Sequence, residues 1–132
     1  MSLLTNCIKN NDIKTNPIWL MRQAGRYLPE FRDIRKKNTD FIKLCLNSDL
    51  ASEITLQPIK RFRFDGAVIF SDILMLPYGL GQKVEFEKNF GPKLGKLNLD
   101  QIAKIDEIDF VEKIHRVYKS INKVSLDPIL NN

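Results

Sequence analysis

Asp65-Gly66-Ala67-Val68-Ile69-Phe70-Ser71-Asp72 is the stretch on which the architecture turns. Asp65-Gly66 reads as a turn, and the apolar run from Ala67 to Phe70 that follows has no polar alternation. A strand wet on one face alternates; a strand covered on both faces does not, which is the pattern of a parallel sheet sandwiched by helices. Ser71-Asp72 then falls at the C-terminal end of that strand. Upstream, Pro17-Ile18-Trp19-Leu20-Met21 is a second short apolar run, read as another buried strand with Trp19 in the core. It is closed by Arg22-Gln23-Ala24-Gly25-Arg26, a loop in which Gly25 supplies backbone angles that other residues resist.

Helical signals fill the space around these runs. Leu3, Leu4, Cys7 and Ile8 recur with helical spacing before Asn10-Asn11-Asp12. Pro29-Glu30 suits a first helical turn, because proline lacks an N–H that would be unpaired there and the acid complements the helix dipole; this helix runs to about Lys37. Thr39 can cap a helix over Asp40 to Leu46, and Ser48 one from Asp49 to about Arg63. Leu50, Ile54, Ile59 and Phe62 give the latter its core side, with Glu53 outside and Pro58 expected to kink or interrupt it. Val84-Glu85-Phe86-Glu87 alternates as a half-exposed strand, and Asn89 to Gly95, with two glycines and a proline, reads as loop. Phe110, Val111, Ile114, Val117, Tyr118 and Ile121 form an amphipathic stripe, backed by Glu112, Lys113, Arg116 and Lys119. Val124 to Asn132, around Asp127-Pro128, reads as the start of a third strand. Strand, helices, strand, helix is the order of a parallel α/β architecture with right-handed crossovers.

A chain of 132 residues, 43% hydrophobic and 28% charged, is long enough for one domain with a core, which excludes a disordered chain or a small disulfide scaffold. Its apolar runs are far shorter than the roughly 20 residues of a membrane span. The first seven residues have neither a basic start nor an apolar h-region, so no secretory signal is expected. Cys7 and Cys45 match neither a redox nor a zinc spacing, and both read as small buried thiols in a reducing cytoplasm. His115, between stripe positions, reads as a partly exposed surface group, and no His, Cys and carboxylate cluster supports a metal.

Charge is concentrated. Arg22, Arg26, Arg32, Arg35, Lys36 and Lys37 against Glu30 and Asp33 give +4 of the chain's +5 within Arg22 to Lys37. Arginine suits bidentate recognition of carboxylate or phosphate, so an anionic ligand is the first functional suggestion; a solvated, salt-bridged helix face is the alternative. Lys60-Arg61-Phe62-Arg63-Phe64 interleaves cations and aromatics as a single-strand nucleic-acid patch does, although at a helix end before a core strand the rings read as packing residues.

Two blocks carry a resemblance. Pro17-Ile18-Trp19-Leu20-Met21-Arg22-Gln23-Ala24-Gly25-Arg26-Tyr27-Leu28-Pro29-Glu30-Phe31 resembles the N-terminal signature of the uroporphyrinogen decarboxylase family. Leu56-Gln57-Pro58 through Asp65 to Phe70-Ser71-Asp72-Ile73-Leu74 is similar to the next signature, in the same order and spacing, and Gly91-Pro92 fits the loop beyond. The resemblance implies a (β/α)8 TIM barrel, of which residues 1–132 would be a single N-terminal segment holding about two barrel strands and their flanking helices, since family members are well over twice as long. It implies removal of CO2 from the four acetate side chains of uroporphyrinogen to give coproporphyrinogen in haem biosynthesis, with no metal or organic cofactor, in a homodimeric cytoplasmic enzyme with no nucleic-acid or membrane partner. By the same resemblance Asp72 accepts hydrogen bonds from the pyrrole N–H groups, Arg22 and Arg26 bind substrate carboxylates or assist protonation, and Gln23, Ala24 and Gly25 shape the loop. Arg35 is a further carboxylate-binding arginine, and Phe70 and Ser71 line the cleft.

Taken from the residues alone, Asp72 is also a cap or turn former, and Arg35 a surface ion-pair partner of Asp33 or Glu30. The alternative function is a non-catalytic remnant, or a basic module that binds anions or nucleic acid through Arg22 to Lys37. A chain holding two barrel strands leaves a strand edge and apolar side chains uncovered, so the 132-residue chain is expected to self-associate and to be inactive alone.

Overall fold

The computed structural model describes residues 3–10, 15–21, 23–87 and 90–131. Helices dominate a mixed α/β chain: α1 (Leu3–Asn10), α2 (Pro29–Lys37), α3 (Phe41–Cys45), α4 (Ser48–Phe62) and α5 (Met75–Gly79) precede a hairpin of β1 (Val84–Glu87) and β2 (Gly91–Leu94). After it come α6 (Leu99–Ile102), α7 (Glu107–Ser125) and α8 (Pro128–Asn131). None of the described helices is long and apolar enough to cross a membrane.

Helix α2 starts on Pro29, carries Glu30 in its first turn and ends on Arg35, Lys36 and Lys37, the charge order that the helix dipole favours. The next two caps each lie one residue from the sequence expectation. Asp40, not Thr39, caps α3 by accepting the Lys43 N–H at 3.0 Å, and Asn47, not Ser48, caps α4 by accepting from Asp49 and Leu50, both at 3.1 Å. Adjacent capping residues leave the helix phase open locally, and burial of Leu44, Cys45, Ala51 and Ile54 selects it. Helix α4 also runs uninterrupted through Pro58. Proline removes one intrahelical donor, but residues 54–59 are all buried, and packing against α2, α3 and α7 offsets that loss. Of its expected core side, Phe62 stays 47% exposed, stacked between Tyr27 at 6.4 Å and Phe64 at 5.5 Å.

Leu28, Phe31, Leu44 and Ile54 form the core, with Ala24, Ile34, Leu50 and Phe70 packed on its rim. Helix α7 lies on α4 and α5 with Ile114 and Val124 buried. Its contact with α5 depends on Gly79, where a Cβ would stand 2.6 Å from the Phe110 ring. Val111, Tyr118 and Ile121 of the expected stripe remain exposed. His115 is exposed, its Nδ1 2.7 Å from the Glu112 carbonyl.

Three expectations about strands need correction. Neither 17–21 nor 67–70 is a strand, and the one sheet among the described residues is the antiparallel β1–β2 hairpin, paired from Val84 with Leu94 to Glu87 with Gly91. Ile18, Trp19 and Met21 are 60%, 49% and 78% exposed, so Trp19 is not core. A parallel strand needs a backbone ladder and cover on both faces; these two segments lie side by side but are joined mainly through side chains. Asp65 N–H donates to the Ile18 carbonyl at 2.8 Å, and Ile18 N–H donates to Asp65 Oδ2 at 2.8 Å. Second, Gly91–Leu94 is a strand rather than loop, because Pro92 sits on an edge where its missing N–H costs no ladder bond. Third, the segment after Val124 is helical, with Asp127 Oδ1 accepting the Ile129 N–H at 3.0 Å at the start of α8.

Candidate active site

The loop after residue 21 and the turn after residue 70 converge on a cleft of about 530 Å³. Ala24, Gly25, Arg26, Arg35 and Asp72 line it, together with Tyr27, Phe31, Phe41 and Phe86. Five of the residues singled out in the sequence thus share one space, although 46 positions separate Arg26 from Asp72 (72 − 26). Arg22 lies outside the described residues.

Each side chain is placed by its own element. Arg35 projects from the last turn of α2, donates from Nη1 to the carbonyls of Asn38 and, at 3.1 Å, Thr39, and lies 5.5 Å from the centre of the Phe41 ring. It makes no ion pair with Asp33 or Glu30: Lys36 holds Asp33 at 3.2 Å, and Arg61 holds Glu30 through two bonds of 3.0 and 2.9 Å. Arg26 sits on the exposed loop, whose backbone is fastened by Arg32 Nη1 donating to the carbonyls of Arg26 at 2.8 Å and Tyr27 at 3.2 Å. Among the described residues neither Arg26 nor Arg35 is paired with a carboxylate.

Asp72 is both turn former and cleft wall. Its Oδ1 accepts the Leu74 N–H at 2.9 Å and its carbonyl accepts the Met75 N–H at 3.0 Å, which fixes the turn into α5. Cys45, fully buried, feels the charges of both Asp72 and Arg35. Burial, and next the Asp72 charge, push its thiol up to about 12, while the Arg35 guanidinium pulls the other way. The two cysteines of the chain are free, Cys45 buried and Cys7 half-buried.

The remaining sequence candidates stand outside the cleft. Phe70 meets Phe31 and Phe41 edge to face at 5.7 and 5.8 Å, so it supports the aromatic wall from behind; Ser71 is half-buried beside it. Gln23 is 1% exposed and turned toward residues 66–68. Gly25 has no positive φ, and a Cβ there would meet only the Tyr27 ring, at 3.6 Å, so the loop does not require its conformational freedom. Phe41 and Phe86, 4.8 Å apart, are lining residues that no motif announced; their alternation and spacing mark them only as apolar. Chemically, two guanidiniums and one carboxylate in an aromatic cleft can grip carboxylates at the rim and oppose a positive charge at the Asp72 end.

The family model for uroporphyrinogen decarboxylase (URO-D) matches residues 1–126. The chain is 48% identical over 124 residues to a protein named uroporphyrinogen decarboxylase from Rickettsia bellii (strain RML369-C), covering 94% of this chain and 36% of the relative. Against proteins of the same name, identity is 47% over 124 residues for Rickettsia canadensis (strain McKiel) and 43% over 121 residues for Chelativorans sp. (strain BNC1), the latter covering 92% of this chain and 35% of the relative. The chain therefore spans about a third of the length of the curated relatives it matches. With a match along nearly all of its residues, the chain belongs to the uroporphyrinogen decarboxylase family.

Proposed function

We propose that this chain supplies the arginine-and-aspartate part of a uroporphyrinogen decarboxylase site, within the N-terminal part of a (β/α)8 barrel. The observation that carries the reading is the cleft in which Arg26 and Arg35, without a carboxylate partner among the described residues, line the same space as Asp72. Decarboxylation needs an electron sink for the pair left by departing CO2. A pyrrole protonated on a ring carbon is such a sink, so the substrate serves as its own cofactor and the acetate becomes a methyl group after CO2 leaves and a proton is taken up. Asp72 would stabilise the cationic pyrrole through its N–H, while the arginines, Arg22 among them, hold substrate carboxylates. Aromatic walls lower the local dielectric and strengthen both effects. Two free thiols suit a reducing, cytoplasmic setting, and assembly as a homodimer belongs to the same reading.

The test is an exchange. The matching stretch of the Rickettsia bellii relative is replaced by this chain, and coproporphyrinogen formation from uroporphyrinogen is measured without oxygen. The hybrid is expected to turn over, and Asp72→Asn within it to lose about 10²-fold or more, the scale of removing a preorganised electrostatic group. Near-normal turnover by the Asn variant would overturn the role of Asp72. A hybrid that folds but leaves uroporphyrinogen unchanged would overturn the reading.

A further inference from the structure

The segment that delivers Asp72 to the cleft has no neighbouring strand among the described residues, yet one of its edges is held at every second residue. Gly66 O accepts from Gln23 Nε2 at 2.7 Å, Val68 N–H donates to Gln23 Oε1 at 2.8 Å, and Phe70 N–H donates to Thr55 Oγ1 at 2.8 Å. In extended backbone, alternate residues present their polar groups to the same edge, so these three bonds form a ladder built from side chains. Both holders are deeply buried, Gln23 at 1% and Thr55 at 0% exposure. The Thr55 hydroxyl accepts there while donating its own proton to the Ala51 carbonyl at 2.7 Å.

We propose that Gln23 and Thr55 are positioning residues, which moor residues 66–70 by that edge and so set the reach from Arg26 and Arg35 to Asp72. This rests on the functional reading above. Helix α4 is the common frame: Thr55 on it fixes the backbone two residues before Asp72, and Arg61 on it holds Glu30 of α2, the helix that carries Arg35. Gln23 ties the loop three residues before Arg26 to the same segment. With its amide spent on backbone and its surface closed, Gln23 acts through the loop and not on substrate.

Thr55→Val keeps the shape and removes the acceptor; Thr55→Ser restores it. In the 132-residue chain, amide hydrogen exchange at Phe70 is expected to quicken roughly five- to tenfold in the Val variant, the scale of one hydrogen bond, with Ile59 of α4 as internal reference and the Ser variant close to unaltered protein. Gln23→Ala, which leaves α4 intact, repeats the measurement at Val68. In the hybrid described above, anaerobic equilibrium binding of uroporphyrinogen is expected to weaken about fivefold or more in Thr55→Val and Gln23→Ala and to recover in Thr55→Ser. Unchanged protection of Phe70 and Val68 would overturn the mooring. Faster exchange with unchanged affinity, while Asp72→Asn loses affinity, would reduce these bonds to local structure and overturn the positioning role. Failure of the hybrid with the unaltered chain to bind uroporphyrinogen would overturn the functional reading and the positioning role together, with the mooring still decided by exchange.

Discussion

The helical side of the molecule and its two extended segments are made from similarly apolar sequence and end in opposite states. Along α2, α3 and α4 the apolar side chains meet one another, and Leu28, Leu44 and Ile54 are at most 1% exposed. Along 17–21 they do not, and along 67–70 only in part: Ile18, Met21 and Val68 are 60%, 78% and 37% exposed, while Phe70 packs on the rim of the core. A helix satisfies its own backbone and needs only one buried stripe, so local packing completes it. An extended segment needs partners for its backbone and cover for both faces; here two side chains and one carboxylate stand in for the first, and the second is incomplete. The cleft forms where the two kinds of region meet, which is why Arg35 comes from a helix and Asp72 from the moored segment.

Core truncation gives the largest expected effect and tests that contrast directly. Ile54→Ala should destabilise the chain by about 2–5 kcal/mol, the usual range for a large-to-small change in a closed core. Val68→Ala should cost below about 1 kcal/mol, since much of its surface is wet already. Urea unfolding compares the two; equal losses would break the distinction between the regions.

Uncovered apolar surface makes the next difference. Met21 at the end of 17–21 and Ile73 just after 67–70 are 78% and 88% exposed, and the isolated chain is expected to associate with rising concentration and to bind an apolar dye. Sedimentation at several concentrations is the check. Met21→Lys and Ile73→Lys should each reduce association, whereas a monodisperse, dye-free monomer would show that these segments need no cover.

The smallest effects sharpen the comparison at opposite ends of the pH scale. Cys45, pushed from an ordinary 9.0 to about 12 by burial above all, favours the folded state fully below the ordinary thiol range and loses that contribution as pH rises toward about 12. Stability should therefore decline over that window, and Cys45→Val should flatten the decline. Glu30 runs the other way: the hydrogen bond from Arg61 holds its carboxyl below the usual range. Its contribution is present above the ordinary carboxylate range and fades as pH falls through the lowered value. Melting temperatures of Glu30→Gln and unaltered protein should differ slightly at neutral pH and converge in acid; a constant gap would remove the ion pair as the cause.

Much of this molecule was legible along the chain. Pro29-Glu30 and the basic Arg35-Lys36-Lys37 delimit α2 because helix ends are governed by local donors and the dipole, and Val84 to Glu87 is a strand as its alternation predicts. The resemblance pointed to Arg26, Arg35 and Asp72, and the structure places these three on one cleft. Other features required the tertiary structure. Which of Asp40 or Thr39, and Asn47 or Ser48, becomes the cap depends on which phase buries Leu44 and Ile54. Whether Ala67 to Phe70 becomes a strand depends on a partner that its own composition cannot supply. Thr55 and Gln23 carry no sequence mark of their task, because a buried hydroxyl or amide is defined by the backbone it reaches, and those backbones lie 15 and 45 positions away. Sequence alone determined which stretches could be helical and which residue types could serve an anion; only the packing of α4 against a moored segment decided that those residues would face one cleft.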